Sequence, residues 1–499
     1  MGFVYFLIYL RYIVSYYLRV GLQLIALYIK KYTKAMNILI FRDALDIKIG
    51  NKMLNNKSIL RYINKCFTYC ILSFTITQGT LMSATLKTIN YNDTDIPVIF
   101  EKHKTLPIFD LQLIFKNGGY INDYKKPGLT NITAKVLNEG TKKDGAIGFA
   151  RKLENKAISL HSTTGLETFV IELSCLKDQY QNGLKYLKDI LQDPNLTDDT
   201  IDKIQTLQIS KLKQKENDFD YIASTNLKKI IYPNTALQYS SIGTIDSIKK
   251  ITKKDVRKNL NKLLNLDNLI IVAGGDIKFK DLKNDLKDIL SLLKKQGSSD
   301  VKKIAISKKT KNSTIYKETE QSYIYFASPF FIDANSKDNY KAKVASFILG
   351  GSGFGSRLME EIRVKNGLAY SAYGHISNKK SHSYFTGYLQ TKLDNTKKAK
   401  KMVVSIIKDF VKNGVTKEEL EAAKRFLQGS EPLRSETFSQ RLNRAFMLNY
   451  KGLDFDYPKK ELEMIEKLTV EDLNKFISKH KEINNLSFSI VTKKNKESK

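Results

Sequence analysis

The chain is 499 residues long, 42% apolar and 27% charged, which is enough for two or more packed domains and too apolar for wholesale disorder. It carries 83 Lys and Arg against 51 Asp and Glu, a formal charge of +32, but Lys is spread along almost the whole chain and no aromatic-basic motif accompanies it, so no specific nucleic-acid partner is implied. Five His and three Cys argue against a multi-zinc protein.

Residues 1–84 read as an N-terminal extension followed by a targeting segment. Phe, Tyr, Leu and Ile crowd residues 3–29, yet Arg11 and Arg19 interrupt them, and no uncharged run reaches the roughly 18–20 residues of a membrane span. From Met53 the order changes to Lys57, Arg61 and Lys65, then an apolar run over 66–76, then small residues up to Ala84. This is signal-peptide order, with Met53 as the expected true start and an uncleaved membrane anchor as the alternative. The expected location is exported: periplasmic, or membrane-anchored and facing the periplasm. Eleven Lys/Arg and two Asp/Glu fall in 1–84, leaving 72 against 49 in the other 415 residues. Of the cysteines only Cys175 lies beyond this segment. Its alternating run Phe169-Val170-Ile171-Glu172-Leu173-Ser174-Cys175 predicts a buried strand thiol, so no internal disulfide is expected.

Alternation over Ile108-Phe109-Asp110-Leu111-Gln112-Leu113-Ile114-Phe115 predicts a half-buried strand. Gly118-Gly119 follows. Next comes Pro127-Gly128-Leu129-Thr130-Asn131-Ile132-Thr133-Ala134-Lys135, a helix start that a Gly140-Thr141 pair closes. Leu196-Thr197-Asp198-Asp199 opens a further helix, and it recurs at a shift of 219 as Val415-Thr416-Lys417-Glu418. Ile248 to Val256, containing Thr252-x-x-Asp255, recurs at a shift of 217 around Thr469-x-x-Asp472, and in both copies a strand follows without a gap. Two ordered matches at nearly one spacing indicate a duplicated domain, and the Thr-x-x-Asp pairs are helix caps. Residues 282–312, with dense Lys and Gly297-Ser298-Ser299, read as a solvated linker. The expected architecture is α+β: two homologous domains, 85–281 and 313–499, each an antiparallel sheet packed with helices.

In the second half, Leu349-Gly350-Gly351-Ser352-Gly353-Phe354-Gly355-Ser356-Arg357-Leu358 runs through Arg363 to Gly367-Leu368-Ala369-Tyr370. It is not a nucleotide loop, since no Gly-Lys-Ser/Thr follows and the dinucleotide spacing is absent. Among the histidines, His103, His161, His375, His382 and His480, there is no i, i+4 pair. His375 and His382, seven apart across an expected hairpin, have a spacing compatible with cross-strand neighbours.

These segments resemble the pitrilysin/insulinase-type metallopeptidases, the group that includes mitochondrial processing peptidase. In that family a Gly-Leu leads into a helix carrying His-x-x-Glu-His; two His one helical turn apart bind Zn²⁺ and the Glu acts as base on the metal-bound water. The frame is present and the ligands are not: Asn131, Ala134 and Lys135 stand in the His, Glu and second His positions. An ammonium about 4 Å from a dication costs about 8 kcal/mol at an effective dielectric near 20. The family's third ligand is a Glu about 75 residues on, and the matching stretch over 204–212 has no carboxylate, with Lys211 as the expected substitute. No metal is therefore expected on this chain.

The resemblance also implies roles for Arg363 and Tyr370, whose spacing matches an Arg and a Tyr that in active relatives reach the zinc site, hold the substrate backbone and stabilise the tetrahedral intermediate. Glu320-Gln321-Ser322-Tyr323-Ile324, opening the second domain's first strand, is implied to line the substrate chamber. The expectation is a non-catalytic subunit of a heteromeric zinc peptidase, inactive alone, with zinc on a homologous partner subunit and polypeptides as substrates. A peptide-binding or scaffold protein is the alternative, and an independent zinc endopeptidase is opposed by the lost ligands. The N-terminus provides for membrane association.

Overall fold

The computed structural model describes residues 84–494. The leader, the Met53 start and the role of 1–52 lie outside these residues, except for Ala84, which is buried beside Ile99 and Phe438. Among the described residues no helix is long and apolar enough to cross a membrane.

The alternation at 108–115 forms a strand as expected. The first half builds a six-stranded sheet from β1 (Thr85–Tyr91), β2 (Thr94–Lys102), β3 (Ile108–Lys116), β4 (Ser159–Thr164), β5 (Thr168–Leu176) and β6 (Leu269–Gly275), in the order β1-β2-β6-β3-β5-β4. Phe109, Leu111, Leu113 and Phe115 line one face of β3, all at or below 1% exposure. Central β6 is buried along its whole length, as a continuous apolar run requires. The second half builds β7 (Asn312–Tyr316), β8 (Gln321–Pro329), β9 (Ala369–Asn378), β10 (Ser383–Lys392) and β11 (Ser487–Thr492), in the order β7-β11-β8-β10-β9. Matching β2, β6, β3, β5 and β4 to β7, β11, β8, β10 and β9 reproduces the order. The sheets are antiparallel except for one pair each, β2 with β6 and β7 with β11, and these two pairs also correspond. The expected all-antiparallel sheets are corrected at that pair, where the returning strand follows a helical excursion long enough for a crossover.

The helices include α1 (Leu129–Asn138), α2 (Asp198–Gln214), α3 (Phe219–Ile231) and α4 (Lys253–Leu263) in the first half, and α5 (Lys417–Gly429), α6 (Phe438–Tyr450) and α7 (Val470–Lys479) in the second. The repeated Thr residues cap them: Thr197, Thr252, Thr416 and Thr469 each accept the backbone N–H three residues on, satisfying a free first-turn donor. One helix from each half is lent to the other. Phe438, Leu442 and Ala445 of α6 cover Ile99, Ile114, Ile270 and Val272 on the first sheet, while Leu227 and Ile231 of α3 pack with Ala327 of β8. Asp220 of α3 accepts hydrogen bonds from Tyr325 Oη (3.0 Å) and Gln390 Nε2 (3.0 Å) on the second sheet. In the reverse direction Arg441 Nε and Nη2 both donate to Glu101 Oε1 (2.9 and 2.7 Å), and Glu101's side chain is 1% exposed.

Three readings change. Residues 282–293 are not solvated: Leu282, Leu286, Ile289 and Leu290 fill the first core, because two short helices at Phe279–Asp285 and Lys287–Leu290 lay their apolar faces against the sheet. Gln321 opens β8, the central strand of its sheet, rather than a first strand, since β7 precedes it. His375 faces Thr386 across the β9/β10 pair, and His382 lies outside that pairing, so the two histidines are not cross-strand neighbours.

Candidate functional site

The degenerate motif lies on α1, entered through Gly128 at φ +93, a left-handed backbone that disfavours side chains and whose Cβ would lie 2.7 Å from Ile248 Cδ1. Asp123 fixes the first turn by accepting from Thr130 N (2.9 Å) and Oγ1 (2.6 Å); burial pushes its carboxyl up to about 6, against the pull of those bonds. Ile132, Val136 and Leu137 are buried, and Ala134, at 2% exposure, offers its carbonyl to Ser162 Oγ of β4 (2.6 Å).

Asn131 and Lys135, one turn apart, share a stripe of α1. Lys135 Nζ donates to Gln208 Oε1 of α2 at 2.5 Å, and Gln208, fully buried, is held by its own Nε2 donating to Ile242 O (2.8 Å). Burial, and then the charge of Lys211, lower the Lys135 ammonium's pKa from its usual value. The buried Asn131 Oδ1 has no hydrogen-bond partner among the described residues. Thus Lys211 stands near the motif as expected, but the residue that closes on Lys135 is Gln208. The sequence held a signal for it: Ile201, Ile204, Gln208 and Leu212 form one buried stripe of α2, with Gln208 its polar member.

These residues do not fit zinc. An ammonium and amides replace imidazole and carboxylate donors, and among the described residues no group of three or more His, Cys, Asp and Glu is placed to hold a metal. The histidines are dispersed in ring contacts and ion pairs: His103 stacks on Phe438, His161 meets Glu172, and His480 lies on Phe330. His382, packed against Tyr232 and Tyr384, is pushed down to about 4 by burial. Cys175 sits in β5 as expected, and burial pushes its thiol up to about 11, so it stays protonated and inert.

In the second half the glycine-rich segment makes a close backbone approach, since a Cβ on Gly350 would lie 2.6 Å from Gly374 N of β9. The helical stretch that follows buries Leu358 and Ile362. Its two arginines differ. Arg357 is held in a bidentate pair by Glu419 (Nε to Oε1 2.6 Å, Nη2 to Oε2 2.7 Å). Arg363, half-buried, stacks on the exposed Phe354 ring at 4.7 Å, and no carboxylate pairs with it among the described residues. Tyr370, at the start of edge strand β9, is 84% exposed. Among the described residues no hydrogen bond, ion pair or ring contact joins Arg363 to Tyr370, or either of them to Lys135.

Residues 98–245 match the family model described as Insulinase (Peptidase family M16), and residues 250–427 match that described as Peptidase M16 inactive domain. The chain is 41% identical over 417 residues to the non-peptidase homolog YmxG of Helicobacter pylori, covering 84% of this chain and 96% of that protein. It is 25% identical over 214 residues to the mitochondrial-processing peptidase subunit beta of Dictyostelium discoideum, 42% of this chain and 46% of that one. The crystal structure of a peptidase M16 inactive domain from Pseudomonas fluorescens superposes with a TM-score of 0.75 at 24% identity, covering 82% of this chain and 98% of that chain.

Proposed function

Since this chain belongs to peptidase family M16, the insulinase family, we propose that it is a non-catalytic subunit of a heteromeric zinc peptidase. A homologous partner chain carries His-x-x-Glu-His and the metal, and this chain contributes Arg363 and Tyr370 to substrate binding. The observation that carries this reading is the contrast between two sites: Lys135 occupies the metal-ligand position and is tied to Gln208, whereas Arg363 has no acidic partner among the described residues and Tyr370 is almost fully exposed. A guanidinium and a phenol so placed are free to donate to a peptide carbonyl or to the oxyanion formed when it is attacked. The similarity to a named peptidase subunit supports an assembly of unlike chains. The basic, apolar and small-residue order over 53–84 supports export, as a periplasmic protein or one anchored at the membrane.

A second reading, a peptide-binding or scaffold protein without a catalytic role, is favoured by the relative named as a non-peptidase homolog.

The test begins with the purified chain, which is expected to hold no stoichiometric zinc and to cleave no peptide. Purification from its native host is expected to bring down a chain bearing the intact motif, and the reconstituted pair is expected to lose about 10²-fold in turnover with Arg363→Ala. Unchanged turnover in Arg363→Ala with Tyr370→Phe would leave the scaffold reading standing; chelator-sensitive cleavage by the chain alone would sink both.

A further inference from the structure

The replaced metal position has an electrostatic character of its own. Two lysines of the surrounding elements are ion-paired, Lys203 of α2 with Glu139 and Lys126 with Asp255. Lys135 and Lys211 have no carboxylate partner among the described residues, although they are close enough for the charge of Lys211 to act on Lys135. Among the described residues the half-buried Lys135 ammonium makes one hydrogen bond, to a neutral amide oxygen. An ammonium has three N–H donors, so two are left. Gln208 cannot turn to follow the lysine, because its Nε2 is committed to Ile242 O; it holds Nζ at one position on the face between α1 and α2. Asn131, one turn before Lys135, adds a half-buried side-chain amide whose buried oxygen has no partner among the described residues; turned about its axis, that amide presents N–H donors instead.

We propose that this degenerate motif is a binding site for a carboxylate group, held by Lys135 and Lys211 with the Asn131 amide beside them. Where the resemblance implies anionic and neutral ligands around a cation, this chain places two cations and one amide whose oxygen is unpaired among the described residues. The carboxylate comes from a bound peptide, as its C-terminus or as an Asp or Glu side chain. That choice of source rests on the peptide-binding reading above, whereas the carboxylate chemistry rests only on the side chains.

Competitive acetylation of the intact chain with acetic anhydride, read lysine by lysine by mass spectrometry, tests both parts. The probes are glutarate, a neutral peptide with a free C-terminal carboxylate, its C-terminal amide carrying one internal Glu, and the amide with Gln in that place. Glutarate and at least one carboxylate-bearing peptide are expected to slow labelling of Lys135 and Lys211 several-fold while the remaining lysines react unchanged, and the Gln amide is expected to protect nothing. The peptide that protects identifies the source. Lys135→Gln, or the exposed Lys211→Gln if the first fails to fold, is expected to weaken protection of the remaining lysine about tenfold, the loss of one charge-assisted bond. Protection by glutarate but by no peptide keeps the carboxylate site and removes the peptide source. Protection by none of the carboxylates, or by inorganic phosphate alone, overturns the proposal.

Discussion

The two halves share a strand order, a parallel pair and four Thr-capped helices, yet they treat their candidate site residues in opposite ways. In the first half, Lys135, Gln208 and Asp123 are drawn into hydrogen bonds beneath the surface. In the second, Arg363 and Tyr370 join no polar network among the described residues, while the neighbouring Arg357 is locked by Glu419. A duplicated scaffold thus preserves topology through its sheet cores and leaves the helix faces above them free to diverge. The exchange of α3 and α6 between sheets ties the halves together, so neither can drift independently of the other.

The strongest way to break the comparison is to cut that exchange. Arg441→Ala leaves the Glu101 carboxylate buried and unpaired, and is expected to cost about 3–5 kcal/mol in urea unfolding. Glu101→Leu combined with Arg441→Met should recover most of that loss; an equal loss in both would assign the effect to packing of the arginine stem. A smaller effect sharpens the description of the first half. Because burial raises Asp123 to about 6 from an ordinary 3.8, the folded state holds its proton more tightly than the unfolded one. The contribution of this group to stability is therefore full below about pH 4 and is lost as pH rises through 6, by up to roughly 3 kcal/mol. Subtracting the stability-against-pH curve of Asp123→Asn from that of the parent should isolate this fall; a flat difference between pH 4 and 7 contradicts it. The smallest expected effect belongs to the second half. Arg363→Ala and Tyr370→Phe should each shift stability by less than about 0.5 kcal/mol, since Tyr370 is exposed and the half-buried Arg363 touches only the exposed Phe354 ring, with no ion pair at either among the described residues. A larger loss in thermal denaturation would give these residues a structural role and weaken their assignment to substrate.

Much of the fold was legible because it rests on local rules. The Thr caps mark where α2, α4, α5 and α7 begin, the alternation at 108–115 marks β3, and the repeated spacings mark the duplication. The expected loss of the metal ligands was equally local, since Asn131, Ala134 and Lys135 occupy fixed steps along one helix. Other features were not legible in this way. The apolar stripe Phe438, Leu442 and Ala445 says that α6 must be buried but does not say against which sheet, whereas Leu282, Leu286, Ile289, Leu290 and Leu293 recur at helical spacing, a signal that the dense lysines around them masked.

Residue order alone marked the caps, the strand alternation and the non-ligand residues on α1, each set by neighbours within a turn or a few residues, and the recurrence of those local signals at one spacing marked the duplication. Packing across the fold settles that Gln208 rather than Lys211 closes on Lys135, that α3 and α6 change partners, and that Tyr370 is exposed while Arg363 is half-buried beside Phe354. Those outcomes depend on which surfaces meet across tens to hundreds of residues of chain, and hydrophobic burial is indifferent to the identity of the apolar partner until packing selects one.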